Sequence, residues 1–147
     1  PDPAGMSRAE QFAAIHAACF TGDPAPWPAP IFAQMLAEPS IFACEAPDAL
    51  LLGRVVLDEA EVLTLAVAPQ ARRRGRAARL LAEFEATARA RGACQAYLEV
   101  AETNPAARTL YALAGWKPVG RRPNYYGPTA ALILKKTLQA GLIQPER

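Results

Sequence analysis

The stretch Val67-Ala68-Pro69-Gln70-Ala71-Arg72-Arg73-Arg74-Gly75-Arg76-Ala77-Ala78-Arg79-Leu80-Leu81 carries an apolar strand through a basic, glycine-bearing turn directly into a helix. Such a junction makes a seat for a pyrophosphate. The first N–H groups of a helix have no partner within it, the helix dipole places about half a positive charge there, and a small residue lets an anion reach the backbone. Five of the 13 arginines lie between Arg72 and Arg79 and deepen the positive potential. The phosphate loops Gly-x-x-x-x-Gly-Lys-Ser/Thr and Gly-x-Gly-x-x-Gly are both absent, which argues against nucleoside triphosphate binding. On these residues alone, the competing reading is an ordinary helix start that is rich in arginine.

Composition sets the outer limits. A chain of 147 residues fits one domain, 1–147, large enough to bury about two-thirds of its unfolded surface. Hydrophobic residues make up 52% and charged residues 20%, and no apolar run nears the roughly 18 residues of a membrane span, so a soluble protein without a membrane partner is expected. Residues 1–5 have neither the basic nor the apolar block of a signal peptide, which predicts a cytoplasmic protein. Cys19, Cys44 and Cys94 each sit in an apolar stretch without CxxC spacing, and buried, reduced thiols are expected. The net charge of +2 is too small for stable nucleic-acid binding by the whole surface. Its arginines cluster at 72–79 and again at Arg121-Arg122, a distribution suited to a local anionic ligand.

Along the chain, Ser7 and Glu10 form a capping box, and Phe12, Ile15, Ala18 and Cys19 follow at helical spacing, which predicts a first helix ending near Phe20. Residues 21–30 hold four prolines and exclude regular helix or central strand. A short helix is expected over 31–38, then strands over 41–45, 50–57 and 62–67 in an antiparallel meander. After the basic turn, Ala77, Leu80, Leu81, Phe84 and Ala88 recur at helical spacing until Gly92 stops the helix. A strand over 96–100, a helix over 105–114 and strands over 116–120 and 131–135 complete the pattern. The order α-α-β-β-β-α-β-α-β-β predicts an α/β class with a central mixed sheet and helices on both faces.

In such sheets ligands bind beyond the carboxyl ends of parallel strands, here the ends at Val67 and Val100. Glu99 lies on a strand expected to be buried on at least one face, where an unpaired carboxylate is costly. It reads either as a general base or as a carboxylate at the strand's fraying end, turned to solvent or salt-bridged to an arginine. Tyr111, an aromatic on an amphipathic helix, reads by itself as core more often than as catalyst, and Asn104 as a helix N-cap ahead of Pro105. His16 has no paired nucleophile and reads as a partly exposed helix residue. No His, Cys, Asp and Glu grouping has metal-ligand spacing, so no metal is expected.

These residues fall into a known pattern. Arg72, Gly75 and Ala77 occupy the fixed places of Gln/Arg-x-x-Gly-x-Gly/Ala, so the segment resembles the acetyl-coenzyme A signature of the GNAT superfamily of N-acetyltransferases. Downstream, Leu98-Glu99-Val100, Asn104-Pro105-Ala106-Ala107, Leu110-Tyr111 and Ala114-Gly115-Trp116 resemble the blocks of that superfamily's ribosomal-protein alanine branch, with Trp116 in place of the usual Phe. Arg121-Arg122-Pro123-Asn124-Tyr125-Tyr126 resembles the branch's substrate loop, and Pro26-Trp27 with Phe32 its second-helix approach. Ala77 stands where that branch usually has glycine, and acidic residues are missing after Tyr126.

The resemblance implies the GNAT fold and transfer of an acetyl group from acetyl-CoA to a primary amine. By this resemblance Leu65, Ala66, Val67, Arg72, Arg73, Arg74, Gly75, Arg76, Ala77, Asn104 and Ala107 would hold acetyl-CoA. Glu99 would take the amine's proton, and Tyr111 would protonate the coenzyme A sulfur. Trp27, Asn124, Tyr125 and Tyr126 would contact the acceptor. A protein N-terminal amine, that of a ribosomal protein among the candidates, suits the branch. An α-amine of pKa about 8 is roughly 300-fold richer in the neutral form at pH 7 than a lysine of about 10.4. A small-molecule amine is the alternative acceptor, and a non-catalytic CoA-binding or RNA-binding domain is the reading from another class.

Overall fold

The computed structural model describes residues 5–20, 25–127 and 129–138. The expectations for residues 1–4, and for 21–24 within the proline-rich stretch, lie outside them. Helix α1, Arg8–Cys19, starts where the capping box predicts: the Glu10 N–H donates to Ser7 Oγ at 3.1 Å and the Ser7 N–H donates to Glu10 Oε1 at 2.9 Å. Its buried face runs through Phe12 and His16, whereas Ala18 is exposed. Helix α2, Ala29–Leu36, begins two residues earlier than the sequence reading and ends two earlier. Pro30 explains the start, since a proline in the first helical turn removes an N–H that has no helical partner anyway.

Strands β1 (Ile41–Ala46), β2 (Ala49–Val56) and β3 (Glu59–Val67) form the expected antiparallel meander. Helix α3 (Arg76–Ala90) crosses back to β4 (Gln95–Ala101), which lies parallel to β3. Helix α4 (Pro105–Leu113) leads into β5 (Lys117–Tyr126) and β6 (Thr129–Thr137). The sheet order is β1-β2-β3-β4-β6-β5. Phe12, Phe32, Leu50, Leu52 and Ala66 bury α1 and α2 on one face. Leu51, Leu80, Leu81, Phe84, Leu98 and Tyr111 bury α3 and α4 on the other. Each fully buried Leu or Phe contributes about 1.5–3 kcal/mol.

One irregularity organises the sheet. Leu52 pairs with Thr64 and Gly53 with Val62, so Leu63 is an extra residue in β3. A bulge of this kind breaks alternation. Ala60 and Val62 point into the α3/α4 core, while Leu63 and Ala66 pack with the α1/α2 core. Pairing to β4 covers only Glu59–Gln95, Ala60–Ala96 and Glu61–Tyr97, and beyond it the two parallel strands part.

Three expectations are corrected. Strand β5 runs on through Tyr126, so Arg121 to Tyr126 is strand with a register shift between Arg122 and Tyr126 rather than a loop. Pairing with β6 holds Arg121 and Arg122 in the ladder. Of the cysteines only Cys44 is buried, and burial, with Glu83 and Glu45 nearby, pushes its thiol up to about 12. Cys94 is exposed in the turn before β4, and Cys19 is half-buried with its Sγ donating to the Val67 carbonyl at 3.2 Å. His16 is 2% exposed, not a surface residue.

Gly53 sits opposite the bulge, where a Cβ would lie 2.7 Å from both Phe42 Cζ and Phe84 Cδ1. Those rings are stacked 5.8 Å apart. Gly53→Ala should therefore lower unfolding stability by about 1–3 kcal/mol in urea titration, as an overpacked core does. An unchanged midpoint would show that the rings yield freely.

Candidate active site

Helix α3 begins at Gly75, whose φ of +74° suits glycine, and Arg73 precedes it at φ +64°. Helices α1 and α4 cap their first N–H groups with Ser7 and Asn104, but no side chain caps α3. The start of α3 therefore keeps an uncompensated dipole and outward-facing donors. Arg72 Nε donates to the Val67 carbonyl at 2.9 Å, and Arg76 Nη1 to the Ala71 carbonyl at 3.2 Å, which tie the turn to the end of β3. A groove of about 240 Å³ opens here, lined by Val67, Ala71, Arg72, Arg73, Gly75, Arg76, Ala77, Ala78 and Leu110. A larger cavity of about 390 Å³, between α4 and the β5–β6 pair, contains none of the predicted site residues.

The structure thus brings together Val67, Arg72, Arg73, Gly75, Arg76 and Ala77. Arg74 is exposed and does not line the groove. Leu65 packs on the α3/α4 core and Ala66 is buried on the opposite face. Asn104 is the N-cap of α4, its Oδ1 accepting from the Ala107 N–H at 3.1 Å. Tyr111 is 7% exposed and meets Trp116 edge-on at 6.2 Å, beside the groove residue Leu110.

The groove reaches Val67 at the end of β3, past the last β3–β4 pair at Glu61–Tyr97, where the two parallel strands have parted. The Ala68 N–H donates to the Asp48 carbonyl at 2.9 Å. Antiparallel alternation then gives Ala66 and Thr64 the bonds to β2 and turns the Leu65 and Val67 N–H groups towards the gap. On β4, Leu98 and Val100 belong to the α3/α4 core, so Glu99 between them points to the α1/α2 face.

Glu99, with its side chain 21% exposed, is paired: Arg122 Nε lies 2.8 Å from its Oε2. Tyr125 hydrogen-bonds the same carboxylate, and its phenol is held above the usual range by the charge of Glu99, then by burial and that bond. The Arg122 guanidinium lies 5.3 Å from the centre of the Tyr125 ring. The charge of Glu61 adds weakly to the same upward shift of Tyr125, and Glu61 is itself paired with Arg54 at 2.6 Å. Asn124 is exposed at φ +56°, and the Tyr126 side chain lies outside the described set. Arg121 grips Glu102 with two bonds of 3.0 and 3.1 Å. Both arginines expected to serve an anionic ligand are therefore engaged by carboxylates of the chain.

Trp27 is placed by His16. The Trp27 N–H donates to His16 Nδ1 at 2.9 Å, leaving Nε2 as the protonated nitrogen 2.9 Å from Thr64 Oγ1, and the two rings stack at 5.0 Å. The sequence reading missed His16, although its place four residues after Phe12 and four before Phe20 marks it as inward-facing. Thr64 was also missed, and Arg122, expected to serve an anionic ligand, is instead the partner of Glu99. Among the described residues no group of three or more His, Cys, Asp or Glu is arranged to hold a metal, and no helix is long and apolar enough to cross a membrane.

A mixed sheet parted between two parallel strands, with an uncapped helix aimed at the opening, defines the fold class of the N-acetyltransferases. Residues 10–116 match the Acetyltransferase (GNAT) family, and the chain belongs to it. It is 36% identical over 132 residues to the N-alpha-acetyltransferase RimI of Mycobacterium tuberculosis, covering 84% of this chain and 81% of that protein. It is 40% identical over 82 residues to the ribosomal protein bS18-alanine N-acetyltransferase of Salmonella typhimurium, covering 56% of this chain and 55% of the relative. It spans 36% of ML0378 from Mycobacterium leprae, at 36% identity. The crystal structure of the ribosomal-protein-S18-alanine N-acetyltransferase of Escherichia coli superposes with a TM-score of 0.79 at 26% identity, covering 90% of each chain.

Burial holds His16 down to about 4, from an ordinary value of 6.5. The folded protein keeps the ring neutral, so the unfolded chain takes up this proton first as pH falls. Stability from this group is complete above about pH 6.5 and declines towards pH 4, by about 2–3 kcal/mol at pH 4.5. Urea titrations of wild type and His16→Asn at pH 7.5 and 4.5 should converge by this amount at the lower pH. A difference independent of pH would contradict a neutral buried ring.

Proposed function

We propose that the protein is an acetyl-CoA-dependent N-acetyltransferase whose acceptor is the N-terminal amine of a protein, and that residues 1–147 act as one domain. The observation that carries the proposal is the gap between β3 and β4, with the uncapped turn of α3 on one side and Glu99 on the other. The turn fits a pyrophosphate because its donors and arginines face a groove with no capping side chain. When bound there, acetyl-CoA would supply an acetyl thioester. The residues that would seat it are Val67, Arg72, Arg73, Gly75, Arg76 and Ala77, with Leu65, Ala66, Arg74, Asn104 and Ala107 shaping the surrounding backbone.

The roles follow from acyl-transfer chemistry. Glu99 takes the proton of the amine, directly or through water, so that nitrogen attacks as a neutral nucleophile. The Leu65 and Val67 N–H groups, turned into the gap, stabilise the oxyanion that forms on the carbonyl. As the N–C bond forms and the C–S bond breaks, the Tyr111 phenol gives its proton to the departing thiolate. Trp27, Asn124 and Tyr125 line the approach of the acceptor, and Tyr126, the last residue of β5, is assigned to it with them. The N-terminal-acetyltransferase names of the relatives favour a protein α-amine, and a ribosomal protein with N-terminal alanine is the leading candidate.

Thiol release from acetyl-CoA should be greatest with peptides beginning in Ala, Ser or Met, and weak with polyamines, free amino acids, aminoglycosides or peptides whose only amine is a lysine side chain. Turnover confined to small amines would overturn the acceptor assignment. Glu99→Gln should lower kcat/KM by about 100-fold or more at neutral pH, recovering partly as pH rises towards the amine's own pKa. Tyr111→Phe should lower turnover throughout the range below the tyrosine's pKa. Full activity in both variants would contradict these roles.

A further inference from the structure

Arg122 is unlike the other residues around Glu99, because it occupies the position that a cationic acceptor needs. Its Nε stands 2.8 Å from Glu99 Oε2, the distance at which an ammonium would donate, and its side chain is 56% exposed while that of Glu99 is 21% exposed. It is therefore the outer partner of the pair, reachable from the solvent side. The backbone that carries it is irregular: Pro123 follows, Asn124 adopts φ +56°, and the ladder to β6 shifts register between Arg122 and Tyr126. Tyr125, on the same stretch, bonds the same carboxylate and lies against the guanidinium. Arg122 and Tyr125 together close Glu99 from one side.

We propose that Arg122 is a displaceable counter-ion of Glu99, exchanged for the acceptor's ammonium group on binding, so that the site selects acceptors that arrive as cations. The proposal rests on Glu99 being the group that receives the amine. The exchange replaces one charge-assisted hydrogen bond by another of the same kind, so it costs little for an ammonium. A neutral nucleophile brings no charge to replace the guanidinium and leaves the pair closed. Arg122 then acts as a specificity-determining residue that works through Glu99. Half-exposed, it turns to water when released, which is why the exchange is reversible.

The test compares wild type, Arg122→Met and Arg122→Lys with CoA bound. Calorimetry follows a hexapeptide with a free N-terminal alanine and the same peptide with that amine acetylated, and steady-state acetylation follows the free peptide. Removing a competing ion pair of this exposure should tighten the free peptide's Kd and lower its KM by about two- to fivefold in Arg122→Met. Binding of the acetylated peptide should not change, kcat should not fall, and Arg122→Lys should return towards wild type. Equal tightening of both peptides, an unchanged Kd, or a fall in kcat from a displaced Glu99 would overturn the exchange while leaving acetyl transfer standing. A wild-type protein that neither binds nor acetylates any free peptide would overturn the exchange together with the proposed reaction.

Discussion

The arrangement depends on a single extra residue in β3. A strand in register with both neighbours would keep its hydrogen bonds to β4 along its length, and the sheet would be closed where the groove now opens. Leu63, inserted opposite the Leu52–Gly53 step, turns the second half of the strand over. Leu65 and Val67 then face the α3/α4 core, Thr64 reaches His16 on the other face, and pairing with β4 ends at Glu61–Tyr97. Backbone groups left unpaired inside a protein are costly unless water or a ligand satisfies them. A parted pair of parallel strands is thus tolerated where something polar is meant to lie between them.

The two sides of the opening are held by different physics. On the α3 side the charge belongs to the backbone dipole and to arginines fastened by their own side chains to the Val67 and Ala71 carbonyls. That side is preorganised for an anion. On the α1/α2 side the charges are matched within the protein, Glu99 with Arg122 and Glu61 with Arg54. With both carboxylates paired, this side is polar without an unpartnered charge at Glu99 or Glu61. His16 couples the acceptor side to the fold, because one neutral imidazole joins Thr64 next to the bulge to the backbone of Trp27.

Local chemistry made much of this legible in the sequence. The capping box at Ser7 and Glu10, the glycine stop at Gly92 and the turn from Val67 to Leu81 obey rules that need only neighbours in the chain, and the element order follows from them. What needed a distant partner was hidden. The bulge exists only relative to β2, and the bond from His16 to Thr64 spans 48 residues. The pairing of Arg122 with Glu99 was foreseeable as a type, since a carboxylate on a half-buried strand needs a partner, but nothing in the sequence chose Arg122 over the arginines of the basic turn. The reading of 121–126 as a loop failed because Pro123 and Asn124 are poor strand formers, and an edge strand tolerates both.

The central claim is that one opening joins the groove at α3 to the face carrying Glu99. The most direct measurement is the affinity of a bisubstrate in which the sulfur of CoA is linked through an acetyl bridge to the N-terminal amine of a peptide, set against CoA and the peptide alone. If the gap connects the two sides, the linked molecule engages both at once and binds about 100-fold or more tighter than either part. A bisubstrate that binds no more tightly than CoA would show that the two sides do not communicate.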